Sequence, residues 1–217
     1  MTDSYRRQDI PLDHAMVLGT SSTILQRDFA GQFGTETIER FLHSSYDEFA
    51  GRVAVTKYLP QFAERFARER LSALARVEGT SDDHRPIVLF LCTHNAGRSQ
   101  IALGYFRALA GDRAVAWSGG SEPGDQVNPA AVAAMAEVGI DISGEFPKPW
   151  TDEVVRAADV VVTMGCGDAC PVFPGKRYED WTLTDPNGLD VASVRPIRDE
   201  IKVRVEALLA ELGVLVG

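Results

Sequence analysis

Long apolar runs, cysteines and an excess of positive charge are what this chain of 217 residues has least of. No stretch stays apolar for the roughly 20 residues that a bilayer-spanning helix needs. The first residues, Met1 to Asp9, lack the apolar centre of a signal peptide. A cytoplasmic protein with no membrane role is therefore expected. Lys and Arg number 22 against 31 Asp and Glu, a net charge of -9, which argues against nucleic acid as the main partner. An anionic ligand would have to be drawn by local geometry, because the overall field repels it. There are three cysteines, Cys92, Cys166 and Cys170, and they cannot all pair at once. In a reducing compartment such a set suggests catalysis, redox exchange or metal binding before structural bridging. No internal repeat or low-complexity tract is present.

The polar segment Val77 to Pro86, rich in turn formers, reads as a linker. Ahead of it the pattern is helical. Ile24, Leu25, Phe29 and Phe33 are spaced for one face ending at Gly31 and Gly34, and Thr35 with Ile38, Phe41, Leu42 and Phe49 reads as a capped second helix. Leu59, Phe62, Phe66, Leu71 and Leu74 make a third, studded with Arg65, Arg68 and Arg70. The expectation for residues 1–80 is a small three-helix bundle whose phenylalanines form its core and whose arginines form a solvated face. The sharper alternative for this module is self-association or docking over a catalytic edge.

After the linker, strand and helix alternate. Strands are expected at Ile87–Leu91, Ala114–Ser118, Asp159–Met164 and Arg177–Trp181; helices at Ser99–Ala110, Pro129–Val138, Trp150–Ala157 and Val194–Leu212. This order predicts an α/β domain over residues 86–217, a doubly wound parallel sheet whose ligand sits beyond the carboxyl ends of the strands.

Cys92 falls at that edge, in Cys92-Thr93-His94-Asn95-Ala96-Gly97-Arg98-Ser99, between an apolar strand and a helix. In such a turn successive backbone N–H groups point inward and the helix N-terminus adds partial positive charge, so the loop binds tetrahedral oxyanions. Arg98 lies one turn on, and its planar fork holds two anion oxygens at once. A sulfur nucleophile and an anion thus share one pocket. Gly97 suits a turn of positive φ, Asn95 tolerates a left-handed conformation or bonds across the loop, and Ser99 donates to the Cys92 sulfur or caps the helix. Thr93, Ala96 and His94 complete the wall, His94 with no catalytic role assigned.

Cys166 and Cys170 follow the third strand, also at the carboxyl edge, with Gly165 and Gly167 around Cys166. Three readings compete. Zinc held by three thiolates and His94 is disfavoured, since C-x3-C is an uncommon knuckle spacing and no second pair is present. Two unreactive loop cysteines are the bland reading. The favoured one is a relay, in which Cys166 attacks a sulfur adduct on Cys92 and Cys170 attacks the resulting disulfide. Asp185-Pro186, after the last strand, puts a carboxyl at the same edge. It is either a proton donor to a departing oxygen or a turn-initiating Asp-Pro.

Taken together, Val88 to Gln100, Ser118-Gly119-Gly120, Ala157-Ala158-Asp159, Val161 to Cys166 and the Asp185-Pro186 loop resemble the low-molecular-weight tyrosine phosphatase family, and within it the thioredoxin-coupled arsenate reductases. The resemblance covers about residues 86–214, and the N-terminal helices resemble the extension of some actinobacterial members. It implies Cys92 as nucleophile, Asn95, Arg98 and Ser99 as residues shaping the anion site, Asp185 as general acid, and Cys166 and Cys170 as the second and third redox cysteines. Arsenate as substrate, a thioredoxin-like thiol reductant as partner and no cofactor follow from it. The chain departs from the pattern in three places. The last two cysteines are closer together, Leu103 stands where some members carry a potassium-binding glutamate, and Asn187-Gly188 replace the aromatic residues that phosphatases place after Asp-Pro. The alternatives are a phosphatase acting on phosphotyrosine or aryl phosphates, and an oxyanion sensor without turnover.

Overall fold

The computed structural model describes residues 10–50, 56–165 and 172–214. It divides into two compact units, one running to Ser81 and one starting at Asp82.

The first unit is all helical: α1 (Leu12–Asp28), α2 (Thr35–Phe49) and α3 (Leu59–Glu78). Leu25, Ile38, Leu42, Phe66 and Leu71 are its most deeply buried large side chains. Phe49 packs edge-on against Phe66 with ring centroids 5.6 Å apart. Three details differ from the sequence expectation. The buried stripe of α1 is Leu18, Ser21 and Leu25, so the helix turns Ile24 outward, and Phe33 lies past its end. The N-cap of α2 is Gly34, with Thr35 the first helical residue and no side-chain cap. Arg70 does not simply face solvent, since its guanidinium lies 4.6 Å from the Phe41 ring centroid and donates to Ser44 Oγ at 2.9 Å. Arg68 bridges Glu64 at 2.7 Å and Asp28 at 2.9 Å, joining α3 to the end of α1. The linker begins at Gly79, whose left-handed φ of 70° closes α3.

The second unit is built on β1 (Ile87–Cys92), β2 (Val115–Gly120), β3 (Val160–Met164) and β4 (Arg177–Asp180), all parallel, in the order β2-β1-β3-β4. Helices α4 (Arg98–Ala110), α5 (Pro129–Ala136), α6 (Asp152–Ala157) and α7 (Val191–Glu211) make the crossovers and close the chain. Every residue of β1 is buried, as a central parallel strand covered on both faces must be. Val88, Phe90 and Cys92 share a core with Ile101 and Phe106 of α4 and Ile201 and Val205 of α7. Phe90 meets the rings of Phe106 and Trp181 at 5.7 and 5.9 Å. The helices start or stop a few residues from the expected bounds, chiefly at α7, which begins at Val191 because Asp190 caps it through Ser193 N–H at 2.9 Å.

The chain leaves β1 toward β2 on one side and returns to β3 on the other, so the crevice at the carboxyl end of β1 is a topological switch point. Cys92 is the last residue of that strand, in register with Gly120 and Met164. None of the described helices is long and apolar enough to cross a membrane. Phe66→Ala would leave a cavity in the small helical core that its neighbours fill only in part. A loss of about 3–5 kcal/mol is expected in urea unfolding of the full chain.

Candidate active site

The turn between β1 and α4 is set by Asn95, the one non-glycine among the described residues with positive φ, at 46°. A left-handed backbone at such a residue persists only where its surroundings hold it. Asn95 is fully buried. Its Oδ1 accepts from Lys148 N–H at 3.0 Å and from Gln100 Nε2 at 3.2 Å, and its carbonyl accepts from Gln100 Nε2 at 3.0 Å. Its Nδ2 donates to Ser99 Oγ at 2.9 Å, and that oxygen lies 3.0 Å from Cys92 Sγ. The Ser99 oxygen receives a proton from Asn95, and when Cys92 is a thiolate, which can only accept, the Ser99 O–H is the donor to the sulfur. A chain of donors thus runs from Asn95 through Ser99 to Cys92.

Both alternatives foreseen for Asn95 hold together. Ser99 faces the sulfur rather than the helix end, and α4 has no side-chain cap. The first-turn N–H groups of α4 are therefore free of side-chain acceptors, as an anion site requires. Gly97 is a correction. Its φ is -124°, so positive φ is not what it supplies. A Cβ at Gly97 would lie 2.5 Å from Pro186 Cγ, so glycine is there to let the Asp-Pro loop close onto the turn.

Arg98 is almost fully enclosed, its side chain 8% exposed, and its Nη2 donates to Asp185 Oδ2 at 2.8 Å. Its Nε–H is buried, with no partner among the described residues. The chain leaving β3 passes directly beside this guanidinium. A Cβ on Gly165, which has φ of 78°, would fall 2.8 Å from Arg98 Nη1, and the Gly165 carbonyl accepts from Thr93 Oγ1 at 3.0 Å. Asp185 is half exposed, and its Oδ1 accepts from Asn187 N–H at 3.0 Å. His94 is exposed on the rim, with Nδ1 3.0 Å from the Glu122 carbonyl. Cys92, His94, Ala96, Gly97, Arg98 and Asp185 line one cleft of about 370 Å³, together with Asp125, Gln126, Asn128 and Asn187.

The residues from Cys92 to Ser99 and Asp185 are therefore brought together. Cys166 and Cys170 lie outside the described residues. Three contributors went unassigned in the sequence: Gln100, the Lys148 N–H and Asn128. Only Asn128 had a local signal, since Asn followed by Pro at a helix start is an N-cap pattern. A thiol, an enclosed guanidinium and a carboxyl on one wall can bind a tetrahedral oxyanion, attack its centre and protonate what leaves.

Residues 87–214 match the family model for low molecular weight phosphotyrosine protein phosphatases, which is more than half of the chain. The chain belongs to this family. Residues 18–75 match a second model, the N-terminal domain of protein-tyrosine-phosphatase-like proteins. A solved structure of a thioredoxin-dependent arsenate reductase from Corynebacterium glutamicum is 40% identical to this family member. It aligns over 92% of this chain and 98% of that one, with a TM-score of 0.82. Arsenate reductase 1 of Staphylococcus epidermidis is 42% identical over 123 residues, 55% of this chain and 92% of that protein. A glutaredoxin arsenate reductase of Synechocystis is 38% identical over 129 residues, 58% of this chain and 98% of that protein.

Gly120, beside Cys92 in the sheet, tests how tightly the turn is packed. A Cβ there would lie 2.6 Å from the Thr93 carbonyl oxygen and 2.9 Å from Asn95 N, both backbone atoms. Gly120→Ala is expected to cost about 1–3 kcal/mol in chemical denaturation and to weaken inorganic phosphate binding measured by calorimetry.

Proposed function

We propose that this protein reduces arsenate to arsenite, with Cys92 as nucleophile and a dithiol protein of the thioredoxin type as final reductant. The observation that carries this reading is the path of the chain at Gly165. It runs against Arg98 at the wall of the anion cleft, and the next residue in sequence is Cys166. A second thiol that follows Gly165 in sequence has no use in phosphate hydrolysis and a direct one in reduction.

In this reading arsenate lies on the loop N–H groups and the Arg98 fork. The Cys92 thiolate attacks As(V) and forms an As–S bond, while hydroxide takes a proton from Asp185 and departs as water. The Cys166 thiolate then attacks the Cys92 sulfur. An S–S bond forms, the As–S electron pair stays on arsenic, and arsenite, As(III), leaves. Cys170 attacks Cys166, frees the Cys92 thiolate and leaves a Cys166–Cys170 disulfide, which the external dithiol reduces with two electrons. Such a cycle belongs in a reducing compartment, which agrees with the expected cytoplasmic location.

The wall of the cleft bears on the phosphatase alternative. Its described lining contains no Phe, Tyr or Trp. An aryl phosphate ring would meet Asn187, Asp125 and His94 in place of an aromatic face. Residues 1–80 and 86–217 are proposed as separate domains, the first serving self-association. Light scattering on the full chain is then expected to return a multiple of the single-chain mass, and a monomer would refute that role.

Turnover of the relay is read as arsenite formed with thioredoxin, its reductase and NADPH. Cys92→Ala should abolish it. Cys166→Ser and Cys170→Ser should each stop multiple turnover, lowering the rate by about 100-fold or more. Full turnover by either would sink the relay, and brisk aryl phosphate hydrolysis unaffected by Cys166→Ser would favour the phosphatase.

A further inference from the structure

Three parts of the cleft meet at Asn128. Its Oδ1 caps α5, accepting from the N–H groups of Ala130 at 2.8 Å and Ala131 at 3.1 Å. Its backbone N–H donates to the Ala96 carbonyl at 2.8 Å, inside the turn that carries Cys92. Its Nδ2 donates to the Pro186 carbonyl at 3.1 Å, one residue after Asp185. The amide has only one workable orientation. Flipped, it would set an NH2 against two N–H donors and an oxygen against a carbonyl.

Asp185 needs such a tie, because no regular structure runs from Trp181 to Asp190. Pro186 transmits it. The proline ring fixes φ near -65°, so holding the Pro186 carbonyl leaves little freedom in how the Asp185 backbone approaches. The ring also rests over Gly97, where even one added carbon would clash. The Asp185 loop is thus seated on the anion turn from above by Pro186 and clamped from the side by Asn128, which the anion turn itself holds through Ala96.

We propose that Asn128 is a positioning residue for the reaction: its amide clamps the Asp185 loop to the anion turn and so sets the distance between the proton donor and the departing oxygen over Cys92. This rests on Asp185 being the proton donor. Asn128 need not touch the substrate, and its N-cap duty is separable from the clamp. Serine and aspartate cap a helix about as well as asparagine, but neither has the N–H that reaches Pro186.

The test is arsenite production at saturating reductant by Asn128→Ser, Asn128→Asp, Asp185→Asn and the Asn128→Ser/Asp185→Asn double variant, each with its urea unfolding midpoint. Asn128→Ser is expected to lower kcat about tenfold with KM for arsenate within about twofold and a midpoint close to wild type. In the Asp185→Asn background the same substitution should change kcat by less than about twofold, since a clamp has nothing left to position. Wild-type kcat in Asn128→Ser overturns the proposal. So does a tenfold loss that persists unchanged on top of Asp185→Asn, which would leave Asp185 as donor and remove Asn128 from its positioning. Undiminished kcat in Asp185→Asn refutes Asp185 as donor and takes the clamp with it. Should Asn128→Ser unfold, Asn128→Asp carries the kcat comparison, and wild-type kcat there overturns the proposal equally.

Discussion

Everything in the cleft depends on one backbone angle, the left-handed φ of Asn95. If Asn95 relaxed to an ordinary extended or helical conformation, the turn would open, Ser99 would lose its donor and the sulfur would lose the hydroxyl aimed at it. Such a conformation costs about 1–3 kcal/mol at a non-glycine residue. Glycine would adopt it without strain, yet glycine has no amide. Here the same residue provides the turn and the first donor of the Asn95–Ser99–Cys92 chain. Its strain is offset by the hydrogen bonds that Gln100 and the Lys148 N–H give it, in an interior where each unmade bond is expensive.

The glycines around this turn serve closeness more than flexibility. At Gly97, Gly120 and Gly165 a Cβ would meet, respectively, the Pro186 ring, the Thr93 carbonyl and the Arg98 guanidinium, all within 3 Å. Three segments far apart in sequence, the Asp-Pro loop, the end of β2 and the end of β3, can therefore be drawn onto the anion turn at backbone distance. Only Gly165 of the three also has positive φ.

This explains what the sequence made legible and what it hid. The sheet was readable because buried parallel strands are continuous apolar runs, as in Ile87 to Leu91 and Val160 to Val162, and because the alternation with helices leaves few topologies. The anion turn was readable because its residue types are fixed by local chemistry. Gly97 was misread for the opposite reason. Seen locally, a glycine in a turn suggests positive φ, whereas its actual constraint is a proline 89 residues away. The Asn128 amide to Pro186 and the Lys148 N–H to Asn95 are likewise long-range and leave no periodic trace. In α1, the inward positions include His14 and Ser21 as well as Leu18 and Leu25, so an apolar count drifts one residue to Ile24. His14 is tolerated there because its Nδ1 lies 2.8 Å from Tyr46 Oη.

In the proposed mechanism Arg98 joins the binding and acid functions of the site. Its Nη2 engages Asp185, and its Nε–H is buried without a partner among the described residues. One planar group then fixes the angle between bound anion and proton donor, which a flexible lysine point charge would not do. That arrangement serves phosphate and arsenate alike, and the first step on either is the same attack by sulfur. The outcomes part at the second step. Phosphorus in a phosphocysteine must await water, whereas As(V) can keep the As–S electron pair if another sulfur takes Cys92. On the proposed relay the choice between hydrolysis and reduction is therefore made outside the anion turn, by which nucleophile reaches the Cys92 sulfur side of the adduct, and Gly165, one residue before Cys166 in sequence, brings the chain to the guanidinium.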